Sequence, residues 1–287
     1  MASRPRFAWI NGRVVPYGDA AVPIDDRGLQ FGESLYEVIP VTVGEPRLLG
    51  EHVARMEQGA TELGLGPGVP KLPEWKAILT ELVAREGARD ALFYAQVTGG
   101  AAPREFAPAG TVARTFFAYL SPFVFPGDAE VVRGIRAVSL PDIRWGRRDL
   151  KTTMLLAAVL AKKHAQSRGA SEAILVGSNG EVYEGASSTV CMVEGRTLLT
   201  PAQTTNLLPG TMRGLVGEVA REAGLDVRGE PFDVERLRRA DEVLVTSTSQ
   251  LVMPVVSLDE ANVGDGKVGP IGRDLARRLR QRFGLEA

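Results

Sequence analysis

Lys151 ends an arginine-rich turn, Asp142-Ile-Arg-Trp-Gly-Arg-Arg-Asp-Leu-Lys, and an apolar helical run from Leu155 to Lys163 follows it. A lysine just ahead of a helix N-terminus, with Arg147 and Arg148 close in sequence, is expected to be disfavoured as the ammonium form. A neutral amine of that kind can condense with an aldehyde to give a Schiff base. The chain avoids lysine, with six against 28 arginines, which sets Lys151 apart from an ordinary solvated surface lysine.

Glu184 is the second candidate. It ends a strand-like Glu-Val-Tyr and precedes Gly185-Ala-Ser187-Ser188-Thr189. A carboxylate followed by small hydroxyl residues suits a planar ligand lying close to the backbone. Were that ligand pyridoxal phosphate, an anion at the pyridine nitrogen would keep the ring protonated and electron-accepting. A phosphate needs N–H groups, cations and hydroxyls. Pro209-Gly210-Thr211-Met212-Arg213 offers N–H groups at a helix start, Thr246-Ser-Thr248-Ser249 offers hydroxyls after a strand, and Arg55 can reach inward from a helix. Each of these also reads as a cap, a turn or a solvated helix face. Neither the P-loop pattern nor Gly-x-Gly-x-x-Gly occurs, which argues against a nucleotide phosphate site.

The elements that must hold these residues are legible from periodicity. Asn11-Gly12 between apolar runs predicts a type I′ hairpin. Gly32 to Ile39 alternates like a strand preceded by a loop. Glu51–Leu65 and Leu72–Arg85 read as helices, Ala91–Thr98 and Val112–Leu120 as buried strands, with a Gly-, Ala- and Pro-rich loop from Gly99 to Gly110 between them. Residues 121–134 contain two prolines and no periodicity and are read as a linker between a small domain, 1–120, and a larger one, 135–287, that carries Lys151. In the second part, strands are expected at 134–139, 173–176, 182–184, 190–193 and 242–246, with helices to Arg168 and over 213–223 and 273–282. Strands and helices mix without strict βαβ alternation, so two-domain α+β layers are expected rather than a doubly wound sheet.

Composition narrows the function classes. With 44% hydrophobic and 24% charged residues the chain has the make-up of a soluble globular protein, and a net charge of −1 without long runs of one sign argues against nucleic-acid or membrane-surface partners. No apolar run approaches the roughly 20 residues of a membrane span. The first residues are basic but carry no apolar stretch, so they do not read as a secretory signal. One cysteine, Cys191, and two histidines, His52 and His164, allow neither an intrachain disulfide nor a protein-only zinc site. A cytoplasmic location and no metal are expected.

In order along nearly the whole chain, the residues resemble the fold-type IV pyridoxal-phosphate enzymes, and most closely the D-amino-acid aminotransferases. The matching pieces are Asp26-Arg-Gly-Leu-Gln-Phe-Gly-Glu-Ser-Leu-Tyr36-Glu-Val, Glu51-His-Val-Ala-Arg55, Gln96-Val-Thr, Pro103-Arg104, Asp142-Ile-Arg-Trp, Asp149-Leu-Lys151, Glu172-Ala-Ile-Leu, Glu184-Gly-Ala-Ser-Ser, Leu208-Pro-Gly and Val245-Thr-Ser-Thr248. The resemblance implies pyridoxal 5′-phosphate as cofactor, with Lys151 carrying the Schiff base and Glu184 bonded to the pyridine nitrogen. It places Arg55, backbone groups of Thr211 and Met212, and Thr248 on the phosphate, Leu208 under the ring, and Ser187 and Ser188 along the cofactor side. Tyr36, Arg104, Phe106 and Ser249 fall to the substrate, Arg104 reaching its carboxylate on a loop from the other subunit of a homodimer. The implied reaction moves an amino group from a D-amino acid to a 2-oxo acid, the released lysine amine shuttling the Cα proton.

Three residues depart from that pattern. Phe106 stands where a carboxylate-assisting histidine is usual, Thr189 replaces an asparagine and Met212 a threonine. An apolar ring at 106 removes a donor and opens the way to substrates without a carboxylate. An (R)-amine transaminase, a branched-chain L-amino-acid transaminase and an aminodeoxychorismate lyase of the same fold therefore stay open. So does a non-catalytic small-molecule-binding relative, which the colour of the purified protein would reveal.

Overall fold

The computed structural model describes residues 4–285. The chain divides into two compact units. The first is the chain up to Val124 with Leu150–Met154; the second is Phe125–Asp149 with the chain from Leu155 onward.

In the first unit the elements run β1 (Phe7–Ile10), β2 (Arg13–Pro16), α1 (Arg27–Phe31), β3 (Ser34–Thr42), β4 (Glu45–Pro46), α2 (Leu49–Glu62), α3 (Leu72–Glu86), β5 (Ala91–Thr98) and β6 (Thr115–Pro122). The strands form one antiparallel sheet in the order β2-β1-β6-β5-β3-β4. Asn11 and Gly12 sit at φ 44° and 93°, the two positive angles the hairpin turn requires. Both helices cover one face, closing a core around Trp75, Met56, Leu82, Ile39, Phe93 and Leu120. Trp75 meets Phe93 and Phe116 at centroid separations of 5.9 and 5.4 Å. Two findings differ from the sequence reading. A five-residue helix, α1, stands where a loop was expected, started by Asp26, whose carboxylate accepts from the Gly28 N–H at 2.8 Å. And the strip around Lys151, expected in the C-terminal domain, belongs here. The Tyr36 N–H donates to the Lys151 carbonyl at 3.0 Å, and Leu35 bridges Thr152, so the strip adds to β3 through backbone bonds that sequence distance hides.

The second unit runs α4 (Asp128–Arg133), β7 (Ile135–Pro141), α5 (Leu156–Ser167), β8 (Glu172–Val176), β9 (Val182–Gly185), β10 (Thr189–Glu194), β11 (Thr197–Thr200), α6 (Thr211–Glu222), β12 (Asp226–Gly229), α7 (Val234–Arg238), β13 (Glu242–Ser247), β14 (Leu251–Leu258), β15 (Ala261–Asn262) and α8 (Pro270–Arg282). Its nine strands form a mixed sheet ordered β12-β11-β10-β13-β14-β7-β8-β9, with β15 on β14. Residues 121–134, read as a linker, hold the end of β6 and all of α4. β14 has no counterpart in the sequence reading, and its Pro254 lacks a ladder N–H. Here Pro254 faces Leu244 of β13, and the parallel pairing with β7 begins only at Val255, so the missing donor falls before that pairing starts. The core of this unit gathers Ile174, Val190, Met192, Val243 and Val245. Among the described residues no helix is long and apolar enough to cross a membrane.

Asp26 ties the first unit together at one point. It is fully buried, and its second carboxylate oxygen accepts from the hydroxyls of Thr98 and Thr115, each at 2.8 Å. Replacing it leaves two buried hydroxyls without an acceptor and uncaps α1. Asp26→Ala should lower unfolding stability by about 3 kcal/mol in a urea titration and Asp26→Asn by roughly half that.

Candidate active site

β3 presents adjacent residues to opposite faces, as any strand must. Glu37 points into the core and is completely buried; Tyr36 points the other way, half-buried. The Lys151 amine lies over the Tyr36 ring, 4.3 Å from its centroid. Tyr36 stacks on Tyr94 at 5.7 Å, and Tyr94 on Tyr119 at 5.0 Å, so a row of phenols crosses this face. A polar chain runs beside it. The Tyr94 hydroxyl donates to Gln96 Oε1 at 2.7 Å, the Gln96 amide donates to Ser34 at 3.3 Å, and Ser34 bonds the Thr153 hydroxyl two residues past Lys151. Burial raises the Tyr94 phenol above its ordinary value, so it keeps the hydrogen that it donates to Gln96.

On the core side, α2 brings His52 and Arg55, three residues apart and therefore on one helical face, onto Glu37. Arg55 forks onto the carboxylate with Nε at 2.7 Å from Oε1 and Nη2 at 2.6 Å from Oε2; His52 Nδ1 lies 2.6 Å from Oε2. Burial pushes the His52 imidazole down, so the neutral ring carries its proton on Nδ1, facing an oxygen that only accepts. Burial alone would raise Glu37, but Arg55 and then His52 outweigh it and hold the carboxyl at about 2. Arg55, expected on a phosphate, thus has its guanidinium plane set by two residues the sequence reading gave no role. The signal was there, in the pairing of Tyr36-Glu37 with Glu51-His-Val-Ala-Arg55, but only the fold shows which carboxylate meets which cation. Arg104 and Phe106 ride on an exposed loop, both against Phe31 at 5.2 and 5.4 Å.

In the second unit Glu184 ends β9 with its side chain only 8% exposed. One oxygen accepts from Arg144 and the other from the Leu208 N–H at 3.2 Å. Arg144 is gripped in turn by fully buried Asp142, through Nε at 3.0 Å and Nη2 at 2.8 Å, and Arg148 Nε lies 3.0 Å from the same carboxylate. Burial opposes the charge on both partners, yet the contacts prevail: Asp142 is held below the usual carboxylate range, and Arg144 is raised above its ordinary value by Asp142 and Glu184. Arg147 and Arg148, read as neighbours bearing on Lys151, have partners of their own, Arg147 on Asp149 at 2.9 Å and Arg148 also on Asn206 at 2.8 Å.

The two serines after Glu184 differ from their expected orientation. Both hydroxyls donate to buried Glu172, Ser187 at 3.1 Å and Ser188 at 2.8 Å, and Lys162 closes that cluster at 3.1 Å. Gly185 is required between them and Glu184, because a Cβ there would collide with the Ser188 hydroxyl. Leu208 leads to Gly210, the N-cap of α6, whose first residues are Thr211 and buried Met212. Thr248 and Ser249 lie in the turn from β13 to β14, one end of which is fixed by cross-strand Thr189 and Thr246. Cys191 is buried and pushed up to about 11, so it is no nucleophile.

Residues 34–258 match the amino-transferase class IV family. The chain belongs to that family. It is 37% identical to the D-alanine aminotransferase of Bacillus licheniformis over 269 residues, 94% of each chain, and 36% identical to that of Staphylococcus haemolyticus, over 93% of this chain and 94% of the other. Among solved structures it overlays the branched-chain amino acid aminotransferase of Escherichia coli with a TM-score of 0.90 at 24% identity, covering 99% and 97% of the two chains. The branched-chain enzyme of Thermobaculum terrenum, solved in its PLP form, gives a TM-score of 0.85 at 24% identity, covering 98% and 95%. The protein is accordingly a fold-type IV, pyridoxal-phosphate-dependent aminotransferase.

Each unit by itself carries groups that fit that cofactor. In the first, a lysine amine on an aromatic face suits an aldehyde and a fixed arginine suits a phosphate; in the second, a nearly buried carboxylate suits a ring nitrogen and the N-terminus of a twelve-residue helix suits a phosphate.

Glu37 makes acid stability testable. A depressed carboxyl contributes fully above its unfolded value of 4.5 and loses that contribution as pH falls toward 2. The loss should be on the order of 3 kcal/mol. Glu37→Gln, which removes the titration, should flatten that limb in chemical denaturation measured from pH 5 to 2.5 and reduce stability at pH 7.

Proposed function

We propose that this aminotransferase takes D-amino acids as donors and 2-oxo acids as acceptors. The observation carrying that reading is the likeness to D-alanine aminotransferases across 94% of the chain, with the implied carboxylate-binding Arg104 in place. Pyridoxal phosphate supplies an aldehyde carbon and an electron-accepting ring. Lys151 would hold the cofactor through its amine, and Nζ, once released, would take the substrate Cα proton and return it, as general base and then acid. The Tyr36 face under that amine limits its approach directions, a contribution of orientation. Glu184, oriented by Arg144 and the Leu208 N–H, would face the ring nitrogen and hold a proton there. Arg55, the N–H groups of Thr211 and Met212, and Thr248 hold the phosphate, Leu208 packs under the ring, and the Ser187–Ser188 backbone edges it. Arg104, Tyr36, Phe106 and Ser249 receive the substrate.

The active form is a homodimer in which the Arg104 loop serves the other subunit's site, and the enzyme works in the cytoplasm. Supporting the dimer, α5 and the preceding turn expose Ile143 at 71%, Leu156 at 71% and Leu160 at 50%, an apolar strip of the kind a second copy covers. A second reading, an (R)-amine transaminase, is favoured by one observation, the Phe106 ring, 85% exposed beside Arg104's loop position.

Donor comparison decides between them. With 2-oxoglutarate as acceptor for D-alanine, and pyruvate for D-glutamate, kcat/KM should exceed that for L-leucine and for (R)-1-phenylethylamine with the same acceptor by about 100-fold. Equal or better turnover of the amine would replace the first reading with the second, and turnover without any 2-oxo acid would indicate a lyase. Lys151→Ala should lower kcat by at least about a thousandfold and prevent borohydride from fixing the cofactor to the chain.

A further inference from the structure

The loop that carries Arg104 and Phe106 is poor in side chains that could anchor it, yet it is held from beneath by one buried cation. Arg27 opens α1 and is only 6% exposed. Its backbone N–H donates to the Gly100 carbonyl at 2.9 Å, where the loop begins. Its guanidinium reaches the far end: Nη1 donates to the Glu105 carbonyl at 2.5 Å and Nη2 to the Phe106 carbonyl at 3.0 Å, while Nε is paired with Glu33. The planar fork therefore sets the backbone on either side of the peptide joining Glu105 to Phe106. Asp26 fixes the base of this fork on β5 and β6 through Thr98 and Thr115.

The side chains are organised on the same piece. Phe31, last residue of α1, has the Arg27 guanidinium 4.9 Å from its ring centroid, the Arg104 guanidinium at 5.2 Å and the Phe106 ring at 5.4 Å. Arg104 is exposed and Phe106 is 85% exposed, so neither has a core of its own to restrict it. An unrestrained arginine gives up close to 2 kcal/mol of rotamer freedom when it binds. Seating it on an aromatic ring before substrate arrives removes part of that cost.

We propose that Arg27 and Phe31 are positioning residues for the substrate carboxylate: Arg27 sets the loop backbone and Phe31 presents Arg104 and Phe106 as one preformed cation-and-ring surface. This rests on the reading of Arg104 as the carboxylate partner. The surface favours acids whose carboxylate is flanked by an apolar group. Loss of either positioning residue weakens substrate capture more than the proton transfers.

The experiment is a set of single and double variants of the cofactor-loaded enzyme assayed with D-alanine or D-glutamate and a 2-oxo acid. Arg104→Met should raise KM on the order of tenfold or more; Arg27→Met and Phe31→Ala should each raise KM several-fold to about tenfold, with kcat falling less than about threefold. Arg27→Lys, which keeps the charge but not the fork, should recover part of the loss. In the Arg27→Met/Arg104→Met double variant the KM increase should not exceed that of Arg104→Met alone, because the two act through one group. Trypsin supplies a readout independent of turnover: cleavage after Arg104 should be slow in the parent and about tenfold faster in Arg27→Met and Phe31→Ala. If Arg104→Met leaves KM unchanged, the carboxylate reading of Arg104 falls and takes this inference with it. If Arg104→Met raises KM while Arg27→Met and Phe31→Ala do not, or if the double variant is fully additive, the inference alone is overturned. Should Arg27→Met fail to fold, Phe31→Ala, which leaves the Arg27–Glu33 pair intact, carries the KM and trypsin arms, and Phe31→Ala/Arg104→Met the additivity arm.

Discussion

A carboxylate removed from water is costly unless a fixed cation or converging donors accompany it, and several buried carboxylates of this protein have a cation. Glu37 is paired with Arg55, Asp142 and Glu184 with Arg144, and Glu172 with Lys162. Taking ions out of water is expensive, and such pairs seldom add net stability against an apolar replacement. Their value here is geometric. A forked arginine cannot rotate while its carboxylate is held, and the carboxylates are themselves held by strands.

The consequence is that, within each unit, these cations and anions have their orientation fixed by the protein itself. Arg55 has its plane set by Glu37 and His52 rather than by a phosphate. Glu184 has both oxygens engaged, one by an arginine that Asp142 holds in place and the other by the Leu208 N–H, so its carboxylate plane is fixed. Lys151 differs in kind. Its contact is an aromatic face, with no carboxylate among its described ion pairs, which leaves its nitrogen uncommitted to a salt bridge. In an arginine-rich chain that contrast separates Lys151 from the paired guanidiniums of Arg55 and Arg144.

Much of this architecture could be read from spacing. The Asn11-Gly12 hairpin, the amphipathic helices that became α2 and α3, the strands β3, β5 and β6, and the strand ends at Glu184 and Thr246 follow from periodicities of 3.6 and 2. α1 escaped because five residues give no periodic window. β14 escaped the sequence reading; its Pro254 has no N–H to give, and the pairing with β7 begins only at the next residue. The orientation of Ser187 and Ser188 toward Glu172 was invisible, since the partner lies 15 and 16 residues back on another strand.

What the sequence determined by itself was the inventory: one privileged lysine, a carboxylate ahead of small hydroxyl residues, a helix start rich in N–H donors, and an arginine on a glycine- and proline-rich loop. Local propensity and residue chemistry suffice for that. Which charge meets which was decided only by the fold. Glu37 and Arg55 are 18 residues apart, Arg144 and Glu184 are 40, and Arg27 and Phe106 are 79. Pairings at such separations depend on strand order and register, which are properties of the whole sheet and of no single stretch of chain.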